Sequence, residues 1–320
     1  MGSHTVHLRE THNALQSILV SPQNPLTVQG ANGQRFVITT NTITNAVARS
    51  LFQGINVYSG FEVFADDAYA HYHALQTTLS RHWANSYFQA AYTFSRSTDA
   101  TSSFNTAFNT AFNNQLVLSG SRGLSDFDRP HRLVASYFYA LPLFVSEIGW
   151  KKQLLSGWGI SGISVFQSGL PFSIMDSNAG SAYAALTTIQ TTASLAPGAT
   201  IASGDSNGSI GSRLNGYVNI AAFKPAPVIG DDGAATGFGT LGRNLYRGPF
   251  EQNWDLSIIK NFSFTEQHKI RFTADLFDVW NHPVFSSPAF TDVQNPAAFG
   301  QIISTENNPR IIQFSLKWSF

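Results

Sequence analysis

The last ten residues of the chain alternate between apolar and polar side chains without a break. The apolar positions are Ile312, Phe314, Leu316, Trp318 and Phe320, and the polar positions are Gln313, Ser315, Lys317 and Ser319. Successive side chains of a β-strand point to opposite faces, so the segment predicts a strand with one apolar face and one polar face. About ten residues are also what a tilted strand needs to cross a bilayer. On this segment alone, an edge strand of a soluble sandwich is the alternative.

The composition favours a membrane-spanning β-sheet that faces lipid on one side and water on the other. Charged residues make up 12% of the chain, about half the usual share, whereas aromatic residues reach 13%. Neutral polar residues fill the polar positions, which suits a barrel with a lipid-facing band and a wet lumen. The net charge of +0 gives no support for a nucleic-acid partner, and the absence of cysteine excludes disulfides and thiolate chemistry. No apolar run approaches the length of a membrane-spanning helix.

Strand-like alternation recurs along the chain. The segments are 5–9, 70–81, 87–97, 131–141, 157–168, 253–264, 269–280 and 311–320, and residues 36–40, 55–64 and 217–223 are candidates for further hairpins. We therefore predict an all-β, antiparallel barrel with at least eight strands. The apolar residues of 157–168 change phase near Gly162, which predicts a bulge there. Lys260 falls in the apolar phase, so we expect it near a membrane interface that its ammonium group can reach.

The connections between these segments alternate between short and long. Residues 84–86 and 265–268 are tight turns and 143–156 is intermediate, whereas the long connections are 10–69, 98–129, 169–252 and 281–309. Structureless loops of that length count against a compact soluble domain. An outer-membrane barrel instead has short periplasmic turns and long extracellular loops. Residues 98–114 and 177–212 are polar and of low complexity, so we expect them to be mobile.

The same alternation predicts which side chains face the lumen and would line a path for a ligand. The candidates are Gln89, Thr93, Asp255, Ser257, Arg271, Thr273, Gln313 and Lys317. They follow from strand phase alone. They define the lumen-facing surface of the predicted barrel, and they do not identify a ligand.

Several stretches resemble the C-terminal barrel of TonB-dependent receptors of the Oar-like kind. They are YHALQ at 72–76, AYTFSRS at 91–97, DFDRPHRL at 126–133, SGLPF at 168–172, GTLGRN at 239–244, RGP at 247–249, NWDLS at 253–257, FDVWNHP at 277–283 and the final strand. The resemblance runs from about residue 2 to residue 320. It implies an outer-membrane barrel of about 22 strands, filled by a plug domain and preceded by a TonB box.

The resemblance implies the uptake of a scarce, unidentified ligand, captured by the long loops and admitted when TonB drives the plug. Its implied partners are outer-membrane lipid, TonB, and the barrel-assembly machinery, which would recognise the strand ending at Phe320. The first residues lack the apolar segment of a signal peptide, so we expect 1–320 to be a C-terminal portion without signal peptide, plug or TonB box. We expect no enzymatic activity, no cofactor and no metal. The alternatives are a passive outer-membrane pore, a surface adhesin, or a soluble secreted glycan-binding β-sandwich.

Two short motifs match enzyme patterns without the surroundings that those patterns need. Residues 237–242 fit G-x-G-x-x-G, but a dinucleotide site needs a buried strand before the motif and a helix after it. Residues 204–208 fit G-x-S-x-G, but polar loop residues flank them where a nucleophile elbow needs a strand and a helix. Asp205 and Asn207 could ligate calcium, although no glutamate follows at the spacing of an EF-hand. We interpret both motifs as loops.

Two further groups have a functional and a structural interpretation. His71 and His73 lie on one face and could chelate a metal with a third ligand, but we favour a place in the interfacial girdle of the barrel. Residues 126–132, DFDRPHR, concentrate charge in a chain that has little. They could contact a ligand at the barrel mouth, but we favour a role in pinning a strand end to its neighbour through Arg–carboxylate pairs.

Overall fold

The computed structural model describes residues 2–13, 18–30, 32–49, 62–100, 102, 113–114, 120–144, 146–183, 190–264 and 268–320, with the backbone alone at 2–13 and 62–68. The strands are β1 (Gly2–Asn13), β2 (Leu26–Gln29), β3 (Arg35–Ile38), β4 (Glu62–Trp83), β5 (Ser86–Asp99), β6 (Gly123–Leu124), β7 (His131–Ala140), β8 (Trp158–Gln167), β9 (Pro171–Phe172), β10 (Ser194–Leu195), β11 (Phe223–Lys224), β12 (Tyr246–Arg247), β13 (Glu251–Ser263), β14 (Lys269–Phe277) and β15 (Ile311–Ser319). One α-helix, α1 (Gly149–Leu155), lies between β7 and β8, and 3-10 helices occupy Val47–Arg49, Ser181–Tyr183, Ile201–Gly204, Ile210–Arg213 and Ile220–Ala222. None of the helices in these ranges is long and apolar enough to cross a membrane.

The chain forms one large antiparallel sheet. Its strand order is β1-β4-β5-β7-β8-β13-β14-β15, and β6 pairs with the end of β5. Each of the segments predicted to be strands overlaps one strand of this path, so the all-β, antiparallel prediction is confirmed. Within the described ranges β1 and β15 are the two ends of the path and do not pair with each other, so the sheet is open.

The two ends of the sheet have different connections. At one end, which we call the turn end, β4 and β5 are joined by the two residues between Trp83 and Ser86, where Ala84 takes a φ of 44°. The helix α1 and the β13–β14 connection lie at the same end. At the other end, the loop end, β8 is separated from β13 by the connection 168–250. The strand β14 stops at Phe277, three residues before its predicted end, because Asp278 takes a φ of 50°.

The register gives the sheet two chemically distinct faces. One row of paired residues reads Phe314, Ala274, Ile258, Ile160 and Tyr139 across five strands. The neighbouring row reads Gln313, Asp275, Ser257, Ser161 and Phe138. Paired residues share a face and successive residues alternate, so these rows define the apolar face and the polar face of the sheet.

The predicted bulge at Gly162 is wrong. Both neighbours of β8 pair with it in unbroken register past this residue, with Tyr137 and Leu256 opposite Gly162. A Cβ atom at Gly162 would lie 2.6 Å from the hydroxyl oxygen of Tyr137 and 2.7 Å from the carbonyl oxygen of Asp255. The glycine is therefore needed to make room for the tyrosine ring. Ile163 and Val165 consequently lie on the polar face.

The connections at the loop end fold into a compact structure that we call the cap, made of the described parts of residues 18–49, 169–250 and 278–309. Its buried core consists of Ile174, Ala193, Val218, Ala222, Phe223, Leu241, Tyr246, Val293 and Phe299. In contrast, the buried apolar residues among the described side chains of the large sheet are Ala74 and Ile259. The main hydrophobic core of the described chain thus lies in the cap.

The expectation that 177–212 is mobile is wrong for its described part. Thr192 and Ala193 are fully buried, and a Cβ atom at Gly239 would lie 1.8 Å from the carbonyl oxygen of Thr192. The hydroxyl of Thr192 donates to the carbonyl of Leu241 at 2.7 Å. Small residues here permit close backbone packing, which a search for hydrophobic periodicity does not detect. Most of 98–114 lies outside the described residues.

The predicted additional hairpins have mixed outcomes. Residues 36–40 contribute to β3, which pairs with β2, as predicted. Residues 217–223 instead contain the 3-10 helix Ile220–Ala222, and the short strand β11 that follows pairs with β10. Most of 55–64 lies outside the described residues.

We predict that Gly162→Ala lowers the free energy of unfolding by about 1–3 kcal/mol, because the added methyl group clashes with the Tyr137 ring and with backbone. Gly216→Ala is the matched control, since no atom lies within 4 Å of its ideal Cβ position. Urea unfolding of both variants in detergent micelles measures the difference. Equal stability of the two variants would contradict this explanation of Gly162.

Candidate functional site at the polar face and its loop end

The register places the eight predicted lumen residues on the same face, the polar one. Gln89 and Thr93 lie in β5, where they pair with Ser136 and Arg132 of β7. The other candidates, Asp255, Ser257, Arg271, Thr273, Gln313 and Lys317, form a second group on β13, β14 and β15. The strands β7 and β8 separate the two groups. Whether any of these residues binds a ligand stays a prediction.

Two members of the second group, Ser257 and Thr273, form side-chain hydrogen bonds with neighbouring strands. The hydroxyl of Ser257 donates to a carboxylate oxygen of Asp275 at 2.5 Å, and the hydroxyls of Thr273 and Ser315 are 2.7 Å apart. Arg271 lies directly opposite Lys317 near the turn end. Like charges placed opposite each other destabilise a sheet, so this pair is a feature that strand packing alone does not favour.

The sequence reasoning missed a polar row near the loop end. Arg132 donates to the side chain of Gln167 at 3.2 Å, and the Gln167 amide donates to Glu251 at 2.6 Å. The register continues this row to Thr93. Strand phase marks Arg132 and Gln167 as polar-face positions, but only the pairing shows that they form one row with Glu251.

The polar face is less polar than predicted. Val134 pairs with Val165 on it, and Ile163 and Phe138 lie beside them. A cavity of about 190 Å³ lies where this part of the face meets the cap. It is lined by Val165, Gln167, Glu251, Gln252, Asn253, Val284, Glu306 and Asn307. The cavity combines two carboxylates and several amides with an apolar floor.

The charged motif 126–132 holds the cap to the sheet. The buried carboxylate of Asp128 pairs with Arg247 of the cap and also accepts the backbone N–H of Ser97 at 2.5 Å. Arg129 pairs with Glu251 at 2.6 Å, at the first residue of β13. The interpretation of this motif as a pin built from Arg–carboxylate pairs agrees with these contacts.

A second pair extends the same connection. Arg243 of the cap pairs with Asp99 at the end of β5, and both side chains are almost fully buried. Next to Arg243, the Asn244 amide donates to the carbonyl of Leu124 at 2.7 Å and to the carboxylate of Asp126 at 2.6 Å. Asp99 belongs to the polar-face phase of β5, so the cap contacts the polar face at its loop end.

Among the titratable groups of the cap, Asp232 and Tyr246 have the most strongly displaced pKa values. The backbone N–H groups of Ala235, Ile43 and Ala234 donate to the Asp232 carboxylate and lower its pKa to about 2. This ionised group ties Ile43 to residues 232–235, and the neighbouring Asp231 carboxylate accepts from the backbone N–H of Asn41. Burial, with a smaller contribution from the charge of Asp205, raises the pKa of Tyr246 to about 12. The Tyr246 hydroxyl therefore stays protonated and donates to the carbonyl of Ile201 at 2.7 Å.

The two enzyme-like motifs have structural roles in the cap. Residues 237–242 are not preceded by a buried strand or followed by a helix, as a dinucleotide site requires. Gly239 instead allows close contact with the backbone of Thr192. Gly204 ends the 3-10 helix Ile201–Gly204, and a Cβ atom there would lie 2.4 Å from the Tyr246 hydroxyl oxygen. Within the described part of the chain, no group of three or more His, Asp or Glu residues is placed to hold a metal ion.

The comparison with protein families identifies the class of protein. The model of the family described as Outer membrane beta barrel domain matches residues 1–313. The chain therefore belongs to this family, and it is located in the outer membrane of the cell. No curated protein and no solved structure matches the chain.

Outer-membrane location assigns the apolar face to lipid. Phe314 and Leu316 are 68% and 70% exposed on this face, and water would not stabilise such a surface. Lys260 is the charged residue expected at an interface. Its ammonium group donates to the carbonyl of Ser156 at the turn end and lies 4.8 Å from the centre of the Phe262 ring. The side chain is almost fully buried, so protein contacts satisfy its ammonium group, and its position at a membrane interface stays a prediction.

We predict that Leu316→Arg lowers the stability of the barrel by about 2–4 kcal/mol, because it places a charge on the lipid face in mid-strand. Ser315→Arg is expected to be tolerated, since the polar face can hydrate the guanidinium group. The ratio of folded to unfolded protein on unheated gels of outer membranes measures both variants. Equal damage from the two substitutions would show that the two faces do not differ in solvent.

We also predict that Asp128→Ala loosens the cap. The substitution removes the buried carboxylate from the Ser97 N–H and from the partly exposed Arg247, which keeps the carbonyls of Asp128 and Gly169 as acceptors, so we expect a cost of about 1–3 kcal/mol. Asp126→Ala is the matched control on the same turn, because that carboxylate is 56% exposed and water can replace it. Limited proteolysis is expected to cleave the cap of Asp128→Ala faster while the strands stay protected. Similar cleavage of both variants would contradict the anchoring role.

Proposed function

We propose that this protein takes up a scarce ligand through the outer membrane with energy delivered by TonB. In this proposal the loop end and its cap face the exterior, and the turn end and Phe320 face the periplasm. The cap captures the ligand, the polar face forms part of its path, and TonB acts through the plug that the family resemblance implies. The strand ending at Phe320 is the part that the barrel-assembly machinery recognises.

The observation that carries the proposal is the folded cap on the polar face. Ion pairs from Asp99 and Asp128 bind cap residues 243 and 247 to the loop end of the face. An outer mouth covered in this way suits controlled entry better than a permanently open pore. The cavity of about 190 Å³ between cap and face is a place where part of a ligand fits.

The polar face supplies a second argument. Arg271 and Lys317 face each other at the turn end, and carboxylates of Glu251 and Glu306 line the cavity at the loop end. A like-charged pair that weakens strand packing is more readily explained by a path for ligand than by stability. This proposal involves no enzymatic step and no cofactor, because ligand movement needs only binding and release.

A surface adhesin is the second candidate. The cap has its own hydrophobic core of residues such as Ile174, Phe223 and Phe299, which would give an external partner a firm surface. An adhesin needs no coupling to TonB and no path along the polar face. The location in the outer membrane excludes the alternative of a soluble secreted β-sandwich.

We predict that cells producing the protein deplete specific compounds from their medium only when TonB is functional. Metabolite profiling of spent medium, with and without the protein and with and without TonB, measures this. In the proposed mechanism TonB drives uptake of the ligand, so loss of TonB is expected to abolish depletion of the compounds from the medium. Depletion that persists without TonB indicates a passive pore, and no depletion by either strain indicates an adhesin.

An epitope inserted between Asn207 and Gly208, which are exposed in the cap, serves as the control for surface display. It is expected to bind antibody on intact cells. A matched insertion between Ala84 and Asn85 at the turn end is expected to bind antibody only after the outer membrane is broken.

A further inference from the structure

A basic groove lies on the apolar face of the sheet at its loop end. It has a volume of about 480 Å³, and its charged and titratable side chains include His71, His73 and Arg96 of the sheet and Arg122, which directly precedes β6. The cap segment 242–245 forms its other wall, where Arg243 pairs with Asp99. None of the described residues that line the groove is acidic.

Strand register fixes the face on which the groove opens. His73 pairs with Arg96, and His71 pairs with Thr98. The next pair in the same phase towards the turn end is Leu75 with Phe94, which belongs to the lipid-facing surface. The groove therefore lies on the lipid side of the wall, directly beyond the apolar band. The lumen-facing candidates occupy the opposite face.

Two of the three arginines that line the groove, Arg96 and Arg122, are available for a ligand. Both side chains belong to exposed residues, and neither forms an ion pair among the described residues. Arg122 lies over the ring of Tyr69, 5.4 Å from its centre, which holds the guanidinium group at the rim of the groove. Arginine binds phosphate through paired N–H donors, so two such groups around one cavity match a phosphate monoester.

We propose that this groove binds the phosphorylated headgroup of a lipid in the outer leaflet of the outer membrane. The position of the leaflet rests on the sidedness given under the proposed function. The arginines would hold phosphate, and the acyl chains would lie on the shelf formed by Leu75 and Phe94, which are 43% and 50% exposed. A soluble anion would gain nothing from that shelf. The continuity of basic groove and apolar shelf is what selects a lipid.

The test uses the full chain, purified from outer membranes in detergent. Native mass spectrometry measures binding of diphosphoryl lipid A, of the same lipid with both phosphates removed, and of inorganic phosphate. The variant is Arg96→Gln combined with Arg122→Gln. The matched control is Arg132→Gln, an exposed arginine on the polar face of the same wall. The single variant Arg96→Gln replaces the double variant if the latter does not fold.

The wild-type protein and Arg132→Gln are expected to bind the phosphorylated lipid equally. The double variant is expected to bind it at least about tenfold more weakly, since each charged hydrogen bond contributes about one factor of ten. Equal binding by the double variant would overturn the proposal. Binding of inorganic phosphate as tight as that of the lipid would overturn it in favour of a soluble anion. None of these readouts depends on TonB, so they are independent of the uptake experiment.

Discussion

The paired charges between cap and sheet are the interactions on which this architecture depends. Asp99 and Asp128 occupy buried positions at the loop end of the polar face, and each holds an arginine of the cap. A buried carboxylate without its partner is costly, so the two parts stabilise each other's position. The short motif around Asp128 is thus a joint between a membrane wall and a water-exposed structure, in a chain where charged residues are only 12%.

The wall needs such a joint because it has little core of its own. Its side chains face lipid or the lumen, and the buried apolar residues among those described are Ala74 and Ile259. Backbone pairing and lipid must therefore stabilise it, whereas the cap folds around a conventional core that includes Phe223 and Tyr246. One chain thus combines a sheet stabilised by backbone pairing and lipid with a cap stabilised by a hydrophobic core, and the ion pairs connect the two parts.

Much of the wall was predictable from the sequence, and little of the cap was. Alternation located the strands and sorted Gln89, Arg271 and Lys317 onto one face, because the period of a strand is local. The role of Gly162 was not predictable, since it depends on the Tyr137 ring of the neighbouring strand. The cap escaped prediction because contacts such as that between Gly239 and Thr192 use small residues and lack a hydrophobic period.

The sequence by itself determined the class of structure: antiparallel strands of membrane-spanning length, one apolar face, and alternating short and long connections. Tertiary structure alone decided which residues distant in the sequence lie next to each other. It joined Arg132, Gln167 and Glu251 into one row, brought Arg243 to Asp99, and gathered Arg96 and Arg122 into a basic groove beside the lipid face. The reason is that strand phase is set by neighbouring residues, whereas register and loop packing depend on partners distant in the chain.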